Sequence, residues 1–515
     1  MHGRAAAIAL ALTWLGLATM PGRAAYAQFY EKVDMTRASA DALVAALGPS
    51  NPSLGATVAA LASCNDPDLR PVFRAMAEGS DPAVRVYGVL GDALCGESGI
   101  DLALYRGLPS PEERTAIIRE ANVSGILRQS DAAALLAAGG STPAAILALI
   151  GELDRRGEAW DPAQVRPILE DPDPVAQGAA SLLLLGGPKG GTPDPAPWAA
   201  FRARLDALPE SERWPALRAL VEAAMVFELE AAADPLMERC EATDVPEQVR
   251  VAGEGLALRL SPERGLAAWR ARVAAERTQV ALVRAGLQLL ASVDHGVPPT
   301  AFDEVRNGSP VLDAIADAGA ALARREPPAP VLIALLDAGH PASAEWALLR
   351  AAALPPAESD PIWKHLLDQL EHLDPLQRPS PVLVAGLSRE LVRSDPAAVD
   401  AAATALAGQD MMLAALVAGL WDSRSPDAAP IARRLRGTLP RSGESLAAMV
   451  LAHAGATLTD DDREVLARAG AGGGDLDATR ALQAAWYAVK SAGTADGLPP
   501  RLRSTAPART PEPAP

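Results

Sequence analysis

The chain has 515 residues, and its 47 Lys and Arg against 64 Asp and Glu give a formal net charge of −17 at pH 7. Phosphate contacts need clustered cationic side chains, so this balance argues against nucleic acid or anionic lipid as a partner. Aromatic residues make up only 4% of the chain, and Ala and Leu dominate it. This composition favours helices over strands and predicts an all-α protein.

Residues 1–27 have the features of a secretory signal peptide. Arg4 precedes an uncharged apolar run over residues 5–17, and Ala25-Tyr26-Ala27 supplies a small-x-small cleavage site. The run is too short and wrongly flanked for a membrane-spanning helix. We therefore expect residues 1–27 to be removed, which leaves a periplasmic or secreted bacterial protein with no membrane span.

The three cysteines are interpreted in that oxidising setting, where disulfides form and persist. Cys64 and Cys95 each stand at the end of a predicted helix, close to one repeat length apart. They are the candidate disulfide pair, and Cys240 is expected to be a buried apolar residue. No CxxC motif occurs, so the sequence offers no zinc ribbon and no thioredoxin-like redox site.

The stretch DPAVRVYGVLGDAL, residues 81–94, predicts a repeating helical unit. Asp caps the first turn, Pro fits the first helical position, and Val and small residues then share one face. Similar units are centred on Val175, Val249 and Val399, with weaker copies at 278–290 and 340–349. The intervals from Val175 to Val249 and from Val249 to Val399 fit a degenerate repeat of roughly 37 residues, typical of paired-helix arrays, whereas the interval from Val84 to Val175 fits it poorly.

This unit and DVPEQVRVAGEGLAL, residues 244–258, resemble HEAT-type repeats, including the short variety of phycobilisome-lyase-like proteins. The resemblance rests on Val84-Arg85 and Val249-Arg250 with the small residues behind them. It implies an α-solenoid of stacked antiparallel helix pairs. It does not imply lyase chemistry, and Ala176 and Asp400 replace the Arg in the other two units.

Composition also predicts the domain organisation. We expect an N-terminal helical repeat array over 28–187, a Gly/Pro-rich linker over 188–198 and a C-terminal array over 199–492. Residues 493–515 are Pro-rich and are expected to be disordered. The GGPKGGT sequence lacks the order of a phosphate-binding loop and is interpreted as part of the linker.

Three other stretches are candidate sites, and the first two have a simpler structural explanation. His365, Asp368 and His372 are placed on the polar side of an amphipathic helix, because a seven-residue spacing suits one metal ion poorly. The acidic residues after Thr459 form the first turn of a capped helix and lack calcium-loop spacing. The third, Glu228 with Glu230, is the kind of acid pair that glycoside cleavage uses.

These features lead to a function without catalytic, cofactor or metal residues. We expect an exported, non-enzymatic scaffold or adaptor that binds a protein partner through its helical-repeat surface, alone or as a subunit of an envelope complex. The alternative is a protein that binds or cleaves peptidoglycan or another polysaccharide. Trp and Tyr clustered beside paired carboxylates in one groove would favour that alternative, and aromatic residues scattered in helix cores would oppose it.

Overall fold

The structure is a computed structural model that describes residues 35–96, 98–139, 142–275, 278–371, 381–473 and 476–492. These residues form helices with short connections, and no β-strand occurs among them, which confirms the all-α class. Within the described ranges, no helix has the length and apolar character needed to cross a bilayer. The predicted signal peptide and Pro-rich tail lie outside the described residues.

The helices are numbered in chain order. The first nine are α1 (Met35–Ala46), α2 (Leu54–Ala62), α3 (Arg70–Ala77), α4 (Pro82–Cys95), α5 (Leu102–Gly107), α6 (Pro111–Val123), α7 (Ala132–Ala137), α8 (Pro143–Arg155) and α9 (Pro162–Val165). The next nine are α10 (Pro174–Gly186), α11 (Ala196–Ala207), α12 (Glu210–Phe227), α13 (Glu230–Cys240), α14 (Glu247–Leu260), α15 (Pro262–Ala275), α16 (Gln279–Ala291), α17 (Pro310–Ala323) and α18 (Pro328–Asp337). The last nine are α19 (Pro341–Ala352), α20 (Pro356–Glu371), α21 (Pro381–Ser394), α22 (Pro396–Ala405), α23 (Asp410–Ser423), α24 (Ala428–Leu435), α25 (Arg441–His453), α26 (Asp460–Arg468) and α27 (Ala478–Ser491).

The helices form pairs that repeat along the chain, as expected of an α-solenoid. We call the second helix of each pair the B helix, and the first helix of the pair that contains α17 is the 3₁₀ helix Pro299–Val305. The B helices are α2, α4, α6, α8, α10, α12, α14, α16, α17, α19, α21, α23, α25 and α27. The interval between the starts of successive B helices is shortest from Leu54 to Pro82 and longest from Pro341 to Pro381. The interval varies with the length of the connections, which is why no fixed period is visible in the sequence.

The structure also gives the register of the predicted repeat units. Val84, Val175 and Val249 lie on B helices, and so do the two weaker copies, which fall on α16 and α19. Val399 lies on α22, the first helix of its pair, so it belongs to a different position of the repeat. Its Asp-Pro start and apolar spacing are shared features of both kinds of helix.

Asp-Pro sequences start several helices in the way the sequence predicts. The Asp81 carboxylate accepts hydrogen bonds from the backbone amides of Ala83 and Val84, and Asp173 and Asp395 cap α10 and α22 in the same manner. Each bond satisfies an amide that has no partner within the helix. The α14 helix is the exception, because Asp244 does not cap it and its carboxylate contacts Arg239.

Small residues on the B helices make room for bulky side chains of neighbouring helices. A Cβ atom built at Gly91 would lie 2.5 Å from the Phe73 ring, and one at Gly151 would lie 2.7 Å from the ring of Phe227. Gly178 receives Phe201 in the same way, at 2.8 Å. These close approaches explain why a chain with few aromatic residues places Gly at the centre of its helices.

The chain divides into two compact units, and one of them is discontinuous in sequence. The first unit comprises residues 1–130 and 363–515, and the second comprises residues 131–362, so that one boundary falls inside α20. The predicted linker 188–198 lies within the second unit and does not separate the two. The backbone amide of Asp194 donates to the Leu184 carbonyl, and α11 begins at Ala196 against α10.

Within the first unit, the last B helix of the chain packs on the first. The B helices contact one another in the order α21, α23, α25, α27, α2, α4 and α6, so the stack continues from the C-terminal helix to the N-terminal one. The α1 helix also packs against α27. In the second unit the corresponding stack runs through α8, α10, α12 and α14, and α16 packs on α17.

Candidate functional site

The ends of the B helices gather many of the ionisable side chains in each unit. A helix C-terminus carries partial negative charge, so cationic side chains are favoured in its last turn. In the first unit, Arg424 and Lys490 bond to the segment that follows α2, at its junction with α27. In the second unit, the arginines at these ends pair with acids. The residues at these ends are Arg155, Arg259, His295, Arg350, Arg393, Arg424, His453 and Lys490.

The centre of the junction in the first unit is the buried carboxylate of Asp66, which we call the junction carboxylate. Its Oδ2 atom accepts hydrogen bonds from Trp486 Nε1 at 2.9 Å and from Lys490 Nζ at 2.8 Å. Its Oδ1 atom accepts from the Asp68 backbone amide at 3.1 Å. Burial alone would raise the pKa of Asp66, but the bonds from Lys490, Trp486 and the amide hold it below its ordinary value.

A second polar bridge at the junction is made by Gln483 of α27. Its Oε1 atom accepts from Trp421 Nε1 at 3.0 Å, and its Nε2 atom donates to the Ala60 carbonyl at 2.8 Å and to Ser63 Oγ at 2.9 Å. One buried amide therefore joins α23, α27 and the end of α2. A buried amide with all of these partners fixes the relative position of the three helices.

Arg424 caps α23 in a left-handed conformation, with φ 53°, which is uncommon for a residue other than Gly. Its guanidinium lies over the Trp421 ring, 3.4 Å from the centroid, and its Nε atom donates to the Ser63 carbonyl at 3.1 Å. Its Nη1 atom is buried without a hydrogen-bond partner. Burial lowers the pKa of Arg424, and the nearby Asp422 carboxyl opposes the shift.

His453 and Tyr487 complete the aromatic part of the junction. His453 Nδ1 lies 2.8 Å from the Tyr487 hydroxyl, and both rings meet Trp421 edge to face. Burial raises the pKa of Tyr487, and burial followed by the charge of Arg424 lowers the pKa of His453. Both shifts favour the neutral forms, so a hydrogen bond joins a neutral phenol to a neutral imidazole. This arrangement packs the junction and leaves neither group ionised at neutral pH.

The candidate disulfide pair lies next to this junction. Cys64 and Cys95 are free thiols in the structure, as is Cys240, and burial raises the pKa of each to about 12. Cys64 is fully buried. Cys240 is also fully buried, as the sequence predicts. Closure of a Cys64–Cys95 disulfide stays a prediction.

The second unit carries an open apolar groove of about 260 Å³ between α7, the end of α8 and the start of α9. Leu153 and Trp160 are its buried floor, and the Trp160 indole donates to Asp154 Oδ1 at 3.0 Å. Asp161 and Gln164 supply its polar rim. No sequence pattern singled out this groove, because its small Ala side chains carry no chemical signal of their own.

Basic and acidic side chains alternate at the helix ends of the second unit. Arg259 Nη2 lies 3.1 Å from Glu228 Oε1, and Arg350 binds both carboxylate oxygens of Asp294, at 2.5 and 2.8 Å. Burial, with the charge of Arg259, lowers the pKa of His295. Glu228 is therefore half of an ion pair at the C-terminal end of α12, and Glu230 lies in the first turn of α13.

The structure places the other sequence candidates as follows. His365 Nε2 contacts Gln369 Nε2 on the polar side of α20, opposite buried Trp363 and Leu366, and His372 lies outside the described residues. Across the described ranges, no three His, Cys, Asp or Glu side chains converge as a metal ion would require. Thr459 and Asp462 form a reciprocal capping box at the start of α26, which confirms the predicted helix cap.

The tryptophans of the described chain are distributed among helix cores. Six of the eight are no more than 7% exposed, so they cannot serve as stacking platforms for a sugar ring. Trp214 and Trp346 are partly exposed, and Arg213 and Arg239 lie over the Trp214 ring at 5.1 and 5.0 Å. The buried six are Trp160, Trp198, Trp269, Trp363, Trp421 and Trp486.

The chain matches no known protein-family model, and no curated protein or solved structure is significantly similar to it.

Proposed function

We propose that this chain is an exported, non-enzymatic scaffold or adaptor of the bacterial envelope that binds a protein partner through its helical-repeat surface. The proposal includes the signal peptide at residues 1–27 and a place either alone or as a subunit of an envelope complex. Stacked helix pairs support it, because each repeat packs on its neighbours through one set of side chains and leaves others exposed on a surface that extends over several repeats.

The observation that carries the proposal is that the buried carboxylates are paired with cationic side chains. Each of the six buried Asp and Glu side chains among the described residues is bound by Lys or Arg, mostly from a neighbouring helix. A buried acid fully engaged by a cation holds helices in place and is not poised to exchange a proton with a substrate. The pairs are Asp66 with Lys490, Asp92 with Arg70 and Arg74, Glu113 with Arg85, Glu152 with Arg155 and Arg156, Glu254 with Arg272, and Asp462 with Arg433 and Arg436.

The charge of the chain indicates the kind of partner. A net charge of −17 favours encounter with a basic or neutral protein surface and repels acidic ones. The buried tryptophans count against the polysaccharide alternative, because a sugar site needs exposed aromatic faces beside paired carboxylates.

The test is affinity capture of the tagged mature chain from an envelope extract, at low and moderate salt, followed by mass spectrometry. We expect one or a few proteins in stoichiometric amounts, released by competition with untagged protein. A tag-only bait controls for adventitious binding. Retention on purified peptidoglycan, with no stoichiometric protein recovered, would contradict the proposal and favour the polysaccharide alternative.

A further inference from the structure

The groove of the second unit is built from small and apolar side chains around one indole. Alanines of α7 leave the space open, and the buried side chains of Leu153 and Trp160 close it from below. Its volume of about 260 Å³ is just below the range of small-molecule pockets, which starts at about 300 Å³. The groove therefore suits one large apolar side chain better than a cofactor. Its apolar lining consists of Ala133, Leu136, Ala137, Leu153, Ala159 and Trp160.

The rim of the groove carries a negative charge. The Asp161 side chain is exposed, and one of its oxygens accepts the Ala163 backbone amide at 2.9 Å as the cap of α9. The neighbouring cations Arg155 and Arg156 are both held by Glu152, at 2.5 and 2.8 Å. Because these two guanidinium groups are paired with Glu152, the Asp161 carboxylate is available to bind a cation on a ligand.

We propose that this groove binds one large apolar side chain of a partner peptide that carries Lys or Arg next to it. The inference rests on the proposed function and names the chemistry of the segment that the scaffold recognises. Insertion of the apolar side chain over Trp160 supplies the anchor, since aromatic-lined pockets are where binding energy concentrates. The Asp161 carboxylate selects the flanking cation and disfavours an acidic neighbour.

The direct test uses ¹⁹F NMR titration of the full mature chain with short labelled peptides. The probe is Gly-Lys-Phe-Lys-Gly with a 4-fluoro label on the Phe, and its counterpart has Glu in place of both Lys. We expect line broadening and saturable shifts for the Lys peptide at low salt, and much weaker binding of the Glu peptide. Equal binding of the two, or no saturable binding of either, would overturn the proposal.

Two variants assign the binding to the groove. Ala133→Phe places a ring in the space, and because Ala133 is exposed the helix can accept it, so we expect the Kd of the Lys peptide to rise at least tenfold. Asp161→Asn keeps a good helix cap and removes the charge, and we expect a rise of roughly two- to fivefold, as for an exposed ion pair. Asp173→Asn makes the same change at the cap of α10 and should leave the Kd unchanged. An unchanged Kd in Ala133→Phe would refute the assignment.

The failure of this inference is distinguishable from the failure of the proposed function. If the Ala133→Phe chain captures the same partner as the wild type, the groove is not the docking site and the scaffold function stands. If the wild type captures no protein at all, the scaffold function itself fails, whatever the peptides do. Capture of the partner by the wild type and its loss with Ala133→Phe supports both.

Discussion

Replacement of the junction carboxylate is expected to weaken the packing of α27 against α2 and so to destabilise the first unit. Asp66→Ala removes the side chain that joins both Trp486 and Lys490 of α27 to the segment after α2. The matched control is Asp68→Ala. Asp68 also contacts Lys490, at 2.7 Å, but its side chain is 61% exposed and the buried Trp486 indole does not depend on it.

The expected loss in the free energy of unfolding is the sum of what each partner of Asp66 loses. The buried Trp486 indole is left without an acceptor, which costs about 1–3 kcal/mol. Lys490 keeps Asp68 and is one-third exposed, so its loss is screened and comes to about 0.5–1 kcal/mol. Loss of the cap on the Pro67–Leu69 turn adds about 0.5–1 kcal/mol. We therefore expect Asp66→Ala to lower the free energy of unfolding by about 2–5 kcal/mol and Asp68→Ala by less than about 1 kcal/mol.

The assay is guanidinium unfolding followed by circular dichroism, together with hydrogen exchange read by mass spectrometry. Peptides from α1, α2 and α27 should lose protection in Asp66→Ala, and those from α12 in the second unit should not. Equal unfolding midpoints for the two variants, or a loss of protection spread evenly over both units, would refute the assignment of Asp66 to the junction.

The same carboxylate predicts a pH dependence. The pKa of Asp66 is lowered in the folded chain, so its contribution to stability is present above the ordinary carboxyl pKa of 3.8 and is lost as the pH falls through the lower folded value. Wild type should therefore lose more stability than Asp66→Asn between pH 5 and pH 3. Parallel curves for the two proteins over this interval would show that folding does not lower the pKa of Asp66.

Three further outcomes are expected from packing, backbone and thiol chemistry. Gly319→Ala drives a Cβ into the Phe302 ring and should cost about 1–3 kcal/mol, whereas Gly386→Ala, which meets nothing within 4 Å, should gain about 0.5–1 kcal/mol. Thermal melts that rank the two variants the other way would contradict the packing. Arg325→Gly should raise the melting temperature, because residue 325 ends α17 in the left-handed region with φ 61°, where Gly is favoured. A lower melting temperature would mean that the Arg325 side chain stabilises this turn. In reduced native protein at pH 8, a disulfide reagent should modify the buried thiols of Cys64 and Cys240 at least a hundredfold more slowly than in guanidinium, because burial raises their pKa to about 12; similar rates would show that these thiols are accessible.

Local chemistry was predictable from the sequence because its causes lie within a few residues. The caps at Asp81, Asp173 and Thr459 each bond to an amide two or three positions away, and the apolar spacing on the B helices follows from helix geometry. The α14 start was not predictable in detail, since Asp244 there is drawn away by Arg239.

The junction and the groove were not predictable for a different reason. Asp66 and Lys490 are 424 residues apart, and neither stands in a pattern that distinguishes it from other surface charges. The Gly/Pro-rich residues at 188–198 have the composition of a linker, and in the structure they connect α10 to α11 within one compact unit. Composition identifies a loop, but it cannot tell what packs on either side of it.

The discontinuous first unit sets the order in which the protein can mature. As the chain leaves the ribosome, α2 appears early and α27, which covers it, appears after every other described helix, whereas the second unit is complete once residue 362 has emerged. The early helices therefore keep an apolar flank open until α27 is made, which is the kind of surface that chaperones bind. A nascent chain halted before α27 would leave this flank uncovered, so quality control could recognise an incomplete molecule by its N-terminal helices.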